Sequence, residues 1–127
     1  MIWNKEMECA DRETMRALQL KKLKETVRYE YDNVPYYREK MDKAGVKPED
    51  IQTLEDIRKL PFIIKEDIAA NYPTGLFAKP MEEIVRIHAS SGTTGKPKIA
   101  GYTRNDLEMW GECVARAMAS AGQDSKS

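Results

Sequence analysis

The first third of the chain carries apolar residues at helical spacing. They follow i, i+3, i+7 and i+11 among Lys, Arg and Glu, and consist of Leu20, Leu23, Val27 and Tyr31. This pattern predicts an amphipathic helix that begins after the capping residue Asp11 and runs to about Tyr31. A basic amphipathic helix can also lie on a membrane surface, but glutamates dilute the charge of this one. We therefore expect its apolar face to pack onto the body of the domain.

Proline and glycine divide the middle of the chain into short helical pieces. Val34 precedes Pro35 and is pushed out of the helical region, so the first helix must end there. The pieces expected next are a helix from Tyr36 to Ala44 closing on Gly45, a turn at Pro48, a short helix opened by a capping box at Thr53 and ending at Leu60, and a helical turn from Lys65 to Asn71. Residues 1–82 are thus predicted to be a helical segment, with a short amino-terminal arm held by Ile2 and Trp3.

The pattern changes to short extended runs after residue 82. The runs Ile84-Val85-Arg86-Ile87-His88 and Ile99-Ala100-Gly101-Tyr102 predict two strands, so residues 83–103 should form a hairpin. A last helix is expected over residues 104–122, from a capping box at Thr103 to a stop at Gly122, with the apolar stripe Leu107, Trp110, Val114 and Met118, and residues 123–127 form a polar tail. The predicted fold class is α/β and helix-dominant: several helices and one small antiparallel hairpin, within a single partial domain.

The loop between the two strands is rich in groups that bind oxyanions. Its sequence, Ser90-Ser91-Gly92-Thr93-Thr94-Gly95-Lys96-Pro97-Lys98, holds four hydroxyl groups, two glycines and two lysines. Glycines allow successive backbone N–H groups to converge on one anion, while hydroxyls and lysines add donors and positive charge. An ordinary hairpin turn needs only about two to five residues and no lysine. The loop is therefore predicted to hold a polyphosphate.

Two other phosphate-binding motifs do not fit this loop. A Walker loop places a Ser or Thr after its lysine and starts a helix there, whereas here Pro97 follows Lys96. The glycines are also too close together for that motif, and the dinucleotide fingerprint G-x-G-x-x-G is absent. A strand–loop–strand arrangement is favoured.

The loop resembles the phosphate-binding loop of the adenylate-forming superfamily, which contains acyl- and aryl-CoA synthetases. The neighbouring segments are similar to the phenylacetate–CoA ligase family; they are Leu60-Pro61-Phe62, Lys65-Glu66-Asp67, Asn71-Tyr72-Pro73, Gly75-Leu76-Phe77-Ala78, His88-Ala89-Ser90-Ser91 and the run from Gly101 to Leu107. The likeness covers nearly the whole chain apart from the last five or six residues. It implies the large domain of an adenylate-forming enzyme, of which this chain would be the amino-terminal portion.

The resemblance also implies a role for each loop residue. The residues that would surround the β- and γ-phosphates of ATP are Ser90, Ser91, Gly92, Thr93, Thr94, Gly95 and Lys96. Lys98 matches the second position of the family's Pro-Lys pair, although Ile99-Ala100-Gly101 replaces the glycine that commonly follows it. The implied reaction converts a carboxylic acid of the aryl-acetate type, ATP and coenzyme A into an acyl adenylate and then an acyl-CoA thioester.

The resemblance places the other functional groups of the family beyond this chain. The contacts to adenine, Mg²⁺ and the acid, and the catalytic lysine, have no counterpart in these residues, so no catalytic and no metal-binding residue is assigned. The chain is thus expected to be inactive alone and to expose apolar faces that favour self-association. The alternatives are a stand-alone nucleotide- or phosphate-binding module and a helical interaction piece, both without catalysis.

Composition narrows the possible partners and the compartment. Lys and Arg together number 21, as do Asp and Glu, so the formal net charge is zero and nothing indicates a nucleic-acid partner. No apolar run reaches the length of a membrane span or a signal peptide. Cys9 and Cys113 are far apart in sequence and there is one histidine, which argues against structural zinc and against a disulfide scaffold. The expected compartment is the cytoplasm.

Three further side chains have alternative interpretations. His88 is a possible general base, but a packed strand histidine is favoured because no partner for a base is evident. Trp110 could stack a base, yet its helical spacing favours packing. Cys113 lacks any sign of the activation that a nucleophile requires.

Overall fold

The computed structural model describes residues 2–90 and 97–123. The helices are α1 (Lys5–Glu8), α2 (Arg12–Asn33), α3 (Pro35–Lys43), α4 (Lys65–Ala70) and α5 (Arg104–Ser120), and the strands are β1 (Arg86–Ala89) and β2 (Ile99–Tyr102). Three 3-10 turns lie at Pro48–Asp50, Leu54–Lys59 and Met81–Glu83. The two strands pair antiparallel. The predicted fold class is therefore confirmed: helices dominate, and one small hairpin accompanies them.

The predicted helix ends are supported by capping contacts. The Thr14 N–H donates to Asp11 Oδ1 at 2.8 Å, which satisfies one of the free amides at the start of α2. Gly45, at φ +68°, follows α3, and the Val46 N–H donates to the Met41 carbonyl at 3.0 Å across that turn. At the start of α5 the Thr103 N–H donates to Asp106 Oδ2 at 2.8 Å, completing the predicted capping box.

The main apolar core lies in the first half of the chain. Its fully buried side chains are Val27 from α2, Met41 from α3, and Val46 and Ile51 from the turns that follow. Leu23, Tyr31, Tyr37 and Leu60 pack against this cluster. Three of the four stripe residues predicted on α2 thus contribute to the core, and Leu20 is half-buried. Packing onto the domain is confirmed for this face of α2.

A buried carboxylate fastens α4 to α3. Asp67 accepts hydrogen bonds from the Tyr36 hydroxyl at 2.6 Å, from the Ile64 N–H at 2.9 Å and from Lys40. Lys40 also donates to the Phe62 carbonyl at 2.7 Å, so the segment between α3 and α4 is tied at two backbone groups. The Phe62 ring itself is 85% exposed. The Ile64 N–H, with Lys40 and Tyr36, lowers the pKa of Asp67 to about 2.

This contact should make the stability of the protein depend on pH. The pKa of Asp67 is lower in the folded state, so its stabilising effect is present above about pH 4 and is lost as the pH falls through about 2. We expect Asp67→Asn to lower the urea midpoint at pH 6, with the gap from wild type closing as the pH approaches 2. The measurement is urea unfolding followed by circular dichroism across this range. A gap that stays constant with pH would contradict the assignment.

The β1–β2 hairpin lies between two layers of side chains. On one face Gly101 is covered by Phe77 and Ile84, so closely that a Cβ atom at Gly101 would lie 2.5 Å from Phe77 Cε2. On the other face Tyr102 stacks against Trp110 of α5, with ring centroids 5.6 Å apart. The lack of a side chain at Gly101 therefore permits the segment before β1 to pack directly on β2.

Substituting Gly101 should disturb this layer. Gly101→Ala forces the Phe77 ring to move, and overpacking of this kind typically costs about 1–3 kcal/mol. We expect a lower thermal midpoint, which the double variant Gly101→Ala with Phe77→Leu partly restores because the smaller side chain makes room. Gly111→Ala is the matched control, since a Cβ atom there meets nothing within 4 Å. Equal effects of the substitutions at positions 101 and 111 would contradict the close packing of Phe77.

The amino-terminal arm is attached differently from the sequence prediction. It contains the short helix α1, and its polar groups rather than Ile2 make the attachment to α5. The Trp3 indole N–H and the Asn4 side-chain amide donate to the two carboxylate oxygens of Glu112, each at 2.9 Å. These contacts and Arg116 lower the pKa of Glu112. Ile2 is 54% exposed, so it is not an anchor.

Membrane insertion was also examined on the helices of the described ranges. None of them combines the length and the apolar character needed to cross a bilayer. Cys9 and Cys113 are both free and exposed.

Candidate phosphate-binding site

The hairpin brings the two ends of the predicted phosphate loop together. Ser90 and Lys98 lie at these ends, and the loop residues between them that fall outside the described part of the chain are Ser91, Gly92, Thr93, Thr94, Gly95 and Lys96. The strand register pairs Arg86 with Tyr102 and Ala89 with Ile99. The chain leaves the loop at Pro97 and Lys98 and enters β2 directly, so the predicted strand–loop–strand arrangement is confirmed.

Two hydrogen bonds close the base of the loop. The Ser90 N–H donates to the Lys98 carbonyl at 3.0 Å, continuing the ladder beyond the last strand pair. The Lys98 N–H in turn donates to Ser90 Oγ at 3.0 Å. The Ser90 hydroxyl therefore accepts one hydrogen bond within the protein and keeps its own hydrogen as a donor. Ser90 thus fixes the separation of the loop ends, a role that its sequence alone did not suggest.

An aromatic cluster connects the hairpin to α5. The His88 ring lies 5.0 Å from that of Tyr102 and 5.7 Å from that of Trp110, measured between centroids. These contacts favour packing over base catalysis for His88, and packing over nucleotide stacking for Trp110. The packing is incomplete, because Trp110 is 44% exposed and His88 is also exposed. The cluster lies directly before the loop in sequence.

A cavity of about 870 Å³ lies beside the hairpin and was not predicted from the sequence. Its walls come from α2, the segment of residues 71–85, β2 and the start of α5. Tyr29 reaches across the floor and donates to the Ala78 carbonyl at 3.4 Å. Half-buried Glu30 also lines it, and burial raises the pKa of this carboxyl. Sequence patterns gave no signal for this cavity because its lining comes from four separate segments.

Comparison with solved structures identifies the class of protein. No family model matches the chain. A 2-hydroxyisobutyryl-CoA ligase in the postadenylation state superposes with a TM-score of 0.85 and 27% identity, over 96% of this chain and 26% of the ligase. The same ligase in complex with 2-HIB-AMP and CoA gives a TM-score of 0.77 and 30% identity, over 85% of this chain and 24% of that one. The fold is therefore that of part of an adenylate-forming CoA ligase.

Curated relatives narrow the class. The chain is 52% identical over 122 residues to a phenylacetate-coenzyme A ligase of Thermus thermophilus, and 51% identical over 120 residues to one of Escherichia coli. These matches cover 96% and 94% of this chain. The chain is thus a homologue of phenylacetate-coenzyme A ligases, which confirms the resemblance. It spans 27% and 28% of the length of these two relatives.

The closure of the loop by Ser90 can be tested directly. Ser90→Ala removes the acceptor of the Lys98 N–H, an exposed hydrogen bond worth on the order of 0.5 kcal/mol. We expect faster hydrogen exchange at the Lys98 amide, measured by NMR, with little change in the global melting temperature. Ser120→Ala is the control, because it removes a hydroxyl contact at the far end of α5. An unchanged Lys98 exchange rate in Ser90→Ala would refute the closure.

Proposed function

We propose that this chain is the amino-terminal piece of an ATP-dependent aryl-acid CoA ligase of the phenylacetate type. Its contribution is the loop at residues 90–98, which binds the β- and γ-phosphates of ATP. The observation that carries this proposal is the hairpin closed by Ser90 and Lys98, because it presents a long loop rich in glycine, hydroxyl groups and lysine between two paired strands. The names of the curated relatives support the same conclusion.

The geometry suits a leaving pyrophosphate. In an adenylate-forming reaction, a carboxylate oxygen attacks the α-phosphorus of ATP and the bond to the β-phosphate oxygen breaks, so negative charge develops on pyrophosphate. Backbone amides, hydroxyls and Lys96 would stabilise that charge, and fixed donors do this without reorganisation during the reaction. Ser90 and Lys98 hold the loop ends at a fixed separation, which limits the positions that the loop can take.

The second half of the reaction involves groups that this chain does not assign. Coenzyme A thiol would attack the acyl adenylate and release AMP, forming the thioester. A solved ligase with this fold has been obtained with 2-HIB-AMP and CoA, which supports ATP and CoA as the substrates of the intact enzyme. We assign neither Mg²⁺ ligands nor a catalytic residue here. The chain is accordingly expected to be inactive alone, and we place the intact enzyme in the cytoplasm.

Nucleotide binding by the chain tests the proposal. We expect saturable ATP binding that inorganic pyrophosphate displaces, measured by isothermal titration calorimetry. Thr94→Ala and Lys96→Ala should weaken it, the latter about tenfold or more, because a charge-assisted hydrogen bond contributes about 1.5–3 kcal/mol. Lys22→Ala, an exposed lysine on α2, is the charge-matched control and should bind ATP as the wild type does.

The outcomes also separate the alternatives. Binding that responds to Lys96 but not to Lys22 excludes a purely structural interaction piece. No binding, or equal losses in both lysine variants, would contradict the role of the loop. Carboxylate-dependent exchange between ATP and pyrophosphate by the chain alone would contradict its inactivity.

A further inference from the structure

Helix α5 exposes its most apolar side. Trp110, Val114 and Met118 follow i, i+4 and i+8, and their side chains are 44%, 44% and 51% exposed. The covered side carries small or charged residues instead: Ala119 is buried, and Glu112 and Arg116 are half-buried. The amino-terminal arm attaches on this covered side, through the hydrogen bonds to Glu112. The predicted stripe is thus present, but it points outward.

This orientation leaves a large driving force unused. Burying a side chain of the size of Val or Met contributes about 1.5–3 kcal/mol, so a helix usually turns its apolar stripe inward. By helical spacing the same side also carries Leu107, Gly111 and Ala121, which adds no charge to it. A stripe this long without a charged residue is suited to contact with other protein.

The exposed stripe continues onto the hairpin. Trp110 contacts the rings of Tyr102 and His88, so helix and hairpin form one surface. We call this surface the docking face and define it by His88, Tyr102, Trp110, Val114 and Met118. It borders the phosphate loop, since His88 lies two residues before Ser90.

Two observations indicate what covers the docking face. The chain matches only 27–28% of the length of two relatives, so most of a ligase polypeptide has no counterpart here. The docking face also lies next to the loop, and the groups that complete a site around ATP must approach the loop from close by. The missing polypeptide is therefore both large enough and required near this surface.

We propose that the docking face binds the remaining part of a phenylacetate-type ligase polypeptide, and that it does so noncovalently when that part is supplied as a separate chain. This inference rests on the proposed function, because the ligase relationship identifies the partner. The contact is apolar and centred on Trp110, in keeping with the aromatic residues that dominate binding energy at protein interfaces.

Co-expression tests the proposal. The complete 127-residue chain carries an affinity tag, and its partner is the portion of the Escherichia coli relative that has no counterpart in it. We expect the partner to be soluble only when co-expressed and to co-purify at a ratio of one to one, measured by sedimentation velocity. Trp110→Ser and Met118→Ser should each reduce the recovered complex about tenfold or more.

Met109→Ser provides a matched control. Met109 lies nine residues before Met118, on the opposite side of α5, and is 59% exposed. Its substitution lowers surface hydrophobicity without altering the docking face, so the complex should form as with the wild type. Circular dichroism of each tagged chain verifies that the variants fold, and a Trp110→Phe variant that keeps partial binding excludes misfolding as the cause.

Each outcome has a defined meaning. A partner that stays insoluble, or equal losses for Met109→Ser and Met118→Ser, would overturn the proposal. Homodimers of the tagged chain that Met118→Ser dissolves, with no complex, would assign the docking face to a second copy and also overturn it. A complex that forms but binds no ATP would support docking while refuting the proposed function.

Discussion

The pairing of β1 with β2 is the contact on which the candidate site depends. It joins residues that are far apart along the loop, and the Ser90–Lys98 hydrogen bonds extend it to the loop base. The pairing is itself held between Phe77 on one face and Trp110 on the other. A two-stranded hairpin is marginal alone in water, so these two aromatic layers are what make the loop ends a fixed frame.

The core and the site occupy different parts of the chain. The buried cluster around Met41 and Ile51 belongs to the first half, whereas the hairpin and α5 carry large exposed side chains such as Ile87 and Trp110. The helical half therefore has the packing of a folded domain, and the half that holds the loop depends more on whatever contacts it. This division is consistent with a chain that spans about a quarter of its relatives.

Sequence patterns predicted those features whose cause is local. Capping boxes, the Val34-Pro35 stop, the glycine at position 45 and the strand at 99–102 act through neighbouring residues, and the structure has them where expected. The attachment of Trp3 to Glu112 and the contacts of Asp67 join distant segments, and no spacing rule identifies them. The direction of the α5 stripe was likewise beyond prediction, because periodicity identifies an apolar side without saying what covers it.

The anchoring of Phe62 has a consequence for proteolysis. A protease must draw several residues of extended backbone into its cleft, and here Lys40 holds the Phe62 carbonyl while Asp67 holds the Ile64 amide. The aromatic side chain that a chymotrypsin-like enzyme would select is thus fully presented, yet the peptide bond beside it is tethered. Cleavage at this point requires α3 and α4 to separate first, so an accessible ring here reports on local opening and not on a loose loop.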